Sequence, residues 1–176
     1  MKHEGVTLDL VDAVFDKLGG IFGAERLLRG ELQIVLFKPD ILTINYSLTL
    51  EEMIALGRYD WCNHEITSKR FPIVGDGIQE INFHLINFGR SITTEEARRE
   101  LARQDLMPAK IEHLLAFAAK FPDEQKQFPI ISLNSFSLIR GGCRYVSLGY
   151  TGNQRELNLD LDDDCWRDYY RFLVIS

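Results

Sequence analysis

The sequence predicts an α+β fold, in which a helix and a β-hairpin precede a domain of one strand, two helices and an antiparallel meander. Two capping-box spacings, beginning at Thr49 and Thr93, predict the starts of helices. Runs of strand length separated by turn residues follow Pro129. The last of these runs, residues 169–175, is apolar on both faces, which is typical of a strand at the centre of a sheet.

Residues 1–50 are predicted to form a separate N-terminal unit. A first helix is followed by a short helical stretch at 24–28 and by a hairpin with strands at 32–37 and 41–48. Because one helix and one hairpin bury little apolar surface, we expect this unit to dock on the rest of the chain or to mediate self-association. The apolar positions of the first helix are Leu8, Val11, Val14, Phe15 and Leu18.

Residues 51–78 are predicted to be an ordered connection, and residues 79–176 an α+β domain. The connection begins with the short helix that the Thr49 capping box starts and that ends near Leu56. Its remainder is irregular, but side chains such as Trp61 and Phe71 make it too apolar for a flexible linker.

The domain is predicted to begin with a half-buried strand at 81–85 and to continue with helices at 93–104 and 110–121. We expect the first strand to pair with residues 169–175 at the end of the chain, and the helices to pack on one face of the sheet. The other strands of the meander are predicted at 130–139, 143–150 and 154–161, with turns at 140–142 and 151–153.

Two stretches of the domain suggest a known fold. Pro108 stands just before the second helix, within residues 106–115, and Arg171 lies in the terminal strand, 171–174. With the order of elements, these stretches resemble the C-type-lectin-like fold. The resemblance implies a C-type-lectin-like strand–two helices–meander arrangement with a central C-terminal strand. The Glu-Pro-Asn and Trp-Asn-Asp motifs of calcium-dependent sugar binding are absent from the sequence.

Short aromatic and proline motifs also recur along the chain. They are Tyr59-Asp60-Trp61, Asn63, Ile66-Thr67, Phe71-Pro72-Ile73, Pro108-Ala109, residues 113–117, Gln125, Phe128-Pro129-Ile130, Trp166 and residues 170–173. Together they resemble a group of uncharacterised bacterial proteins. The resemblance implies membership of that group and brings no activity with it.

Composition excludes several classes of protein. The 176 residues are 45% hydrophobic and carry a formal net charge of −6, which argues against a general nucleic-acid binder. The longest apolar run, residues 114–119, is too short to span a bilayer. Three cysteines without an export signal predict a reducing, cytoplasmic setting. No nucleotide- or cofactor-binding motif is present, so no cofactor is predicted.

Cys62 and His64 are the one place where a thiol and an imidazole stand two residues apart. A catalytic cysteine needs a base beside it, and this pair is the candidate for such a site. Zinc sites commonly use paired ligands, whereas Cys143 and Cys165 stand alone, so no metal site is predicted. No catalytic residue is assigned.

The C-terminal loops carry the candidate binding residues. Asp160-Leu-Asp-Asp-Asp164 is the densest acidic cluster, and it lacks the glycine and the closing glutamate of an EF-hand. A solvated turn between strands is therefore favoured over a calcium site. Trp166 either forms part of a recognition surface or folds back over the core. The binding residues predicted are Trp166, Tyr169, Asp162, Asp164 and Asn153.

These features favour a non-enzymatic binding or recognition module that uses the loops of its C-terminal domain, with an unknown protein or a small ligand as partner. One alternative is a small cysteine- or metal-dependent enzyme centred on Cys62 and His64. Another is a structural accessory subunit that pairs through strand 32–37 of its hairpin.

Overall fold

The computed structural model describes Asp12 and residues 40–162 and 165–176. The chain divides between residues 38 and 39 into two units, and the fold below is that of the second. Asp12, within the predicted first helix, is helical. The other residues of that helix, the helical stretch and the first hairpin strand lie outside the described residues.

The described chain contains three helices and eight strands, which confirms the α+β prediction. The helices are α1 (Leu50–Gly57), α2 (Thr94–Ala102) and α3 (Ile111–Lys120), followed by a 3₁₀ turn at Glu124–Lys126. The strands are β1 (Asp40–Asn45), β2 (Trp61–Cys62), β3 (Ile78–Ile86), β4 (Met107–Pro108), β5 (Ile130–Ile139), β6 (Gly142–Thr151), β7 (Gln154–Leu161) and β8 (Arg171–Ile175). None of the described helices is long and apolar enough to cross a bilayer.

All eight strands belong to one mixed sheet in the order β1-β3-β8-β5-β6-β7-β2, with β4 paired to β8. The terminal strand is central, as predicted: β8 pairs antiparallel with β3, where Phe83 lies opposite Ile175. On its other edge β8 pairs parallel with β5, where Ile130 lies beside Arg171. The second strand of the predicted hairpin is present as β1, and it pairs with β3.

The short strand β4 occupies the edge of β8 that β5 leaves. After Ile131 pairs with Phe172, the β8 residues further along pair with β4 instead. The Ser132 hydroxyl donates to the Ala109 carbonyl at 2.7 Å, and Asn134 donates to the Pro108 carbonyl at 2.8 Å. These bonds satisfy backbone acceptors where the two strands diverge, and the Ala109 carbonyl is a buried one.

The sheet is covered on both faces, in contrast to the prediction that the helices pack on one. On the first face, Leu173 of β8 lies in a core that includes residues of α1 and α3. On the second face, Phe172 and Val174 pack in another core with Ala97 and Leu101 of α2. A strand that is apolar on both sides requires this cover, because a bare second face would leave its large side chains in water.

The helix starts follow the predicted capping chemistry at two of three positions. The Thr49 hydroxyl accepts from the Glu52 amide at 3.2 Å, and the Glu52 carboxylate accepts from the Thr49 amide at 2.8 Å. Thr93 and Glu96 repeat the arrangement at α2. Helix α3 begins differently, since its first amide, that of Ile111, donates to a hydroxyl of β5 at 2.6 Å.

A buried arginine of β7 joins the elements of the first face. Arg155 is only 9% exposed, and its Nη1 donates to the carbonyl of Gly57 at 2.6 Å. Its Nη2 donates to the Ala118 carbonyl at 3.1 Å and to Gln125 Oε1 at 2.9 Å. Gly57 ends α1 and Ala118 lies in the last turn of α3, so one cation meets two helix C-termini, where positive charge is favourable. The guanidinium also lies 5.3 Å from the centre of the Tyr59 ring.

We expect Phe172→Ala to lower the free energy of unfolding by about 3–5 kcal/mol, the range for removing a buried aromatic side chain. Phe172 is 1% exposed, and its ring contacts those of Phe88 and Trp166. The control is Phe136→Ala on β5, where the residue is 51% exposed and a loss below about 1 kcal/mol is expected. Unfolding in guanidinium chloride measures the free energy of unfolding of both variants. Equal losses in the two would contradict a central role for β8.

We expect Arg155→Leu to lower the free energy of unfolding by about 2–4 kcal/mol, because several buried acceptors lose their donor at once. The neighbouring Arg58, which is exposed, supplies the control: Arg58→Gln should change stability by less than about 0.5 kcal/mol. Arg155→Lys should recover only part of the loss, since a single ammonium group cannot replace both Nη1, which bonds the end of α1, and Nη2, which bonds the end of α3. Full stability in Arg155→Leu would show that the carbonyls find other donors.

Candidate functional site

A cleft of about 280 Å³ opens on the second face of the sheet, and we call it the β6–β7 cleft. Its floor is formed by β6 and β7, and its walls by residues 125–129 and by Tyr170. None of the helices α1 to α3 contributes to its lining. The cleft therefore lies on a part of the sheet that leaves polar side chains accessible.

The floor of the cleft is polar because of the alternation along β7. Residues of one strand point alternately to the two faces, so that Glu156, Asn158 and Asp160 share the second face. The register with β6 places Ser147 beside Asn158 and Gly149 beside Glu156. The floor thus offers two carboxylates and an amide within one depression, while the Ser147 hydroxyl is buried.

The wall at residues 125–129 is fixed by specific contacts. Gln125, whose side-chain oxygen is held by the guanidinium described above, donates through Nε2 to the carbonyls of Gly149 at 2.6 Å and Glu156 at 3.1 Å. The Phe128 ring lies 4.7 Å from the guanidinium carbon of Arg171. Both ends of this wall are therefore attached to the sheet.

The wall at Tyr170 rests on a cluster of aromatic rings. The Tyr170 ring is stacked on that of Tyr169 at 5.0 Å and meets the edge of Trp166 at 5.4 Å. The Trp166 indole donates to the Thr94 hydroxyl at 2.8 Å, and Asn87 donates to the Tyr170 carbonyl at 2.9 Å. The loop before β8 is held on α2 and on the residue that follows β3 through these contacts.

Asp160 is the carboxylate in the most unusual environment of the cleft. Burial raises the pKa of this carboxyl group above its ordinary value, and the nearby Glu156 raises it further. Hydrogen bonds from the hydroxyls of Ser147 and Tyr170, and the charge of Arg144, act in the opposite direction. Burial has the largest effect, so this carboxylate is incompletely compensated when it is ionised.

The cleft carries net negative charge. Its one lysine, Lys126, forms an ion pair with Asp123 at 2.6 Å, which neutralises it. Within the described chain, neither Asp160 nor Glu156 forms an ion pair. The described part of the chain contains no group of three or more His, Cys, Asp or Glu side chains that could hold a metal ion. The arrangement can accept hydrogen bonds from a ligand and can stabilise a positive charge on it.

The residues predicted for binding fall around the cleft rather than in it. Trp166 is 3% exposed and folds back over the core of the second face, whereas Tyr169 is 51% exposed. Asn153, with a φ of 69°, occupies the turn between β6 and β7, and Asp162 follows β7. Asp164 lies outside the described residues. The aromatic pair contributes by holding Tyr170 in place.

The cleft residues themselves were not selected from the sequence. The alternation along β7 assigns Glu156, Asn158 and Asp160 to the outer face of a strand, where polar side chains ordinarily meet solvent. The signal that indicates a cleft is Ser147, a polar residue in an otherwise apolar run of β6. Only the register shows that it shares this face with the acidic residues of β7.

Cys62 and His64 do not form a nucleophile–base pair. The Cys62 thiol donates to the Asn63 carbonyl at 3.8 Å, and burial raises its pKa. The His64 side chain is 81% exposed, with its Nε2 3.9 Å from a Glu65 carboxylate oxygen. A reactive cysteine needs its thiolate stabilised, which is the reverse of this environment.

A buried polar cluster lies at the start of α3. The Lys110 amide donates to His113 Nδ1 at 3.0 Å, so the imidazole proton is on Nε2, which donates to the Tyr46 hydroxyl oxygen at 3.3 Å. Burial, and then the charge of Lys110, lower the pKa of His113 to about 4. Burial raises the pKa of the adjacent Glu112. Both residues are buried, and we assign this cluster to the packing of α3 rather than to ligand binding.

Comparison of the chain with protein-family models, with curated proteins and with solved structures finds no match. The resemblances to a group of bacterial proteins and to the C-type-lectin-like fold stay predictions. The candidate site is therefore defined by the contacts, burial and charges of its own residues.

We expect the stability of the protein to fall as the pH falls from about 6.5 to 4, because the unfolded chain protonates His113 in this window and the folded chain does not. The full contribution is about 3 kcal/mol. Glu112, whose pKa is raised, acts in the opposite sense above about pH 4.5. Urea unfolding at several pH values measures the slope.

His113→Asn is the matched variant for this measurement, because its side-chain oxygen can still accept from the Lys110 amide while it cannot titrate. The pH dependence of the wild type minus that of His113→Asn isolates the imidazole, since every carboxylate is common to both proteins. A difference that does not change between pH 7 and pH 4.5 would contradict the lowered pKa.

Proposed function

We propose that the protein is a non-enzymatic binding module whose β6–β7 cleft takes a small ligand bearing a protonated amino group. The single observation that carries this proposal is the Asp160 carboxylate, which is partly desolvated on the floor of an open cleft and has hydroxyl partners but no ion pair among the described residues. An ammonium group would supply the missing counter-charge together with hydrogen-bond donors.

The rest of the lining favours an amine over other ligands. Glu156 adds a second negative charge, which disfavours anionic ligands. The Asn158 Oδ1 already accepts from Asn63 Nδ2 and from the Leu159 amide, so its Nδ2 is the group that can donate to a hydroxyl oxygen of the ligand. The rings of Phe128 and Tyr170 provide apolar walls, and aromatic faces attract cations. A volume of about 280 Å³ suits a molecule of small size.

Binding without catalysis is favoured by what the cleft lacks. Its lining contains no cysteine and no histidine, and the Cys62 thiol has a raised pKa on a different part of the chain. The alternative of an enzyme centred on Cys62 and His64 is therefore the weaker hypothesis. The alternative of an accessory subunit rests on strand 32–37, which lies outside the described residues.

A C-type-lectin-like arrangement is part of this proposal. It is supported by the antiparallel pairing of β3 with β8, by the two helices between β3 and β5, and by the meander of β5, β6 and β7. In such an arrangement the loops of the meander carry the ligand-binding residues, and the rigid sheet holds these loops in position. The ligand chemistry is inferred from the cleft alone and does not depend on this fold assignment.

The test compares glucosamine and 2-aminoethanol with glucose and ethylene glycol, their neutral counterparts, by calorimetric titration. We expect at least one amine to bind and its neutral counterpart not to. Asp160→Asn should weaken binding about 10- to 100-fold, because a charge-assisted hydrogen bond is lost. Amine binding should also weaken as the pH approaches the raised pKa of Asp160, at a higher pH than for an ordinary aspartate.

Asp168→Asn is the matched control, since Asp168 is an exposed aspartate of the loop before β8 and does not line the cleft. It should leave the affinity unchanged. Equal binding of amines and neutral compounds, or equal weakening in the two variants, would contradict the proposal. Retained thermal stability of Asp160→Asn distinguishes a lost contact from a lost fold.

A further inference from the structure

A second, smaller cavity of about 170 Å³ lies near the end of the β5–β6 hairpin. It is bounded by Asn63, His64 and Glu65, which follow β2, and by Arg140 and Arg144 of the hairpin. We call it the Arg140–Arg144 pocket. Two apolar residues, Ile139 and Leu159, complete its lining.

The charge of this pocket is opposite to that of the β6–β7 cleft. Arg140 and Arg144 contribute guanidinium groups, and neither forms an ion pair within the described ranges. The carboxylate in the lining, Glu65, is neutralised by Arg70 at 2.9 Å. In a chain of net charge −6, this local excess of positive charge marks a place where an anion is stabilised.

Two polar side chains of the pocket, Arg144 and Asn63, are held in position from behind. Arg144 Nη1 donates to the Leu159 carbonyl at 3.2 Å, which fixes its guanidinium on the edge of β7 and leaves further N–H groups for a ligand. Asn63 Nδ2 donates to Asn158 Oδ1 at 3.3 Å, while Asn63 Oδ1 accepts from the Glu65 amide at 3.0 Å. Such fixed donors lose little entropy when they bind.

We propose that the Arg140–Arg144 pocket binds a tetrahedral oxyanion, namely the phosphate group of a small phosphomonoester. Two guanidinium groups can compensate a dianion, and the planar fork of arginine fits phosphate oxygens in pairs. The exposed imidazole of His64 adds a third donor at the mouth of the pocket. The small volume admits the phosphate group and leaves the remainder of the ligand outside.

This site is independent of the proposed function. The amine cleft lies on the second face of the sheet, whereas Arg144 and Leu159 belong to the first face by the alternation along β6 and β7. The two sites share one contact, the hydrogen bond from Asn63 to Asn158. The failure of one proposal is still distinguishable from the failure of the other, because the probes carry opposite charge and the variants differ.

The experiment titrates the full chain with inorganic phosphate and with glycerol phosphate, in a chloride buffer at fixed ionic strength. The wild type should bind both, and glycerol phosphate should compete with inorganic phosphate. Arg144→Gln and Arg140→Gln should each weaken binding about ten-fold or more, the loss expected for a charge-assisted hydrogen bond. Arg144→Lys should recover part of the affinity.

Arg99→Gln is the control, because Arg99 is an exposed arginine of α2 outside the pocket. This substitution removes the same charge as the two pocket substitutions. It should not change the affinity. If Arg144→Gln does not fold, Arg140→Gln and His64→Ala, which alter exposed side chains, decide the outcome. No phosphate binding by the wild type at millimolar concentration, or equal weakening in Arg99→Gln and Arg140→Gln, would overturn the proposal.

Discussion

The guanidinium of Arg155 lies where the ends of α1 and α3, the 3₁₀ turn and β7 meet on the first face of the sheet. Its acceptors are carbonyl and amide oxygens that have no access to water, so that the charge is distributed over several bonds instead of one carboxylate. Through Gln125 the same contact reaches the sheet again at Gly149. The wall of the β6–β7 cleft on one face thus depends on a cation buried on the other.

The central position of β8 decides where a ligand can approach. Because Phe172, Leu173 and Val174 require cover on alternate faces, both sides of the sheet near β8 are occupied by packed side chains. Strands β6 and β7, which β5 separates from β8, are released from that requirement over the part of the second face that the cleft occupies. Their polar residues can then line a cleft, and Tyr170, at the end of the loop that leads into β8, forms its wall on a rigid base.

The elements with strong local signals are those that the sequence predicted well. The capping boxes at Thr49 and Thr93, the four strands that follow Pro129 and the pairing of β3 with β8 are all present, although the last strand begins at Arg171 and not at residue 169. The sequence did not predict that α2 covers the second face of the sheet, because most of its residues are charged and only Ala97 and Leu101 are buried. Likewise, no local sequence pattern shows that the side chain of Asp160, on the outer face of β7, is partly removed from water. That property arises from the neighbouring strand and loops, which are distant in the sequence.

The two candidate sites follow from one property of β7. The pleat sends Glu156, Asn158 and Asp160 to the second face, while Arg155, Leu157 and Leu159 point to the first. Acidic groups consequently collect on one side of the strand, and the Leu159 carbonyl anchors a guanidinium on the other. Burial has the largest effect on the pKa of Asp160 and raises it, while the charge of Arg144 has the smallest and lowers it. A single strand with strict alternation can in this way support two cavities of opposite sign, each selective for a different charge on its ligand.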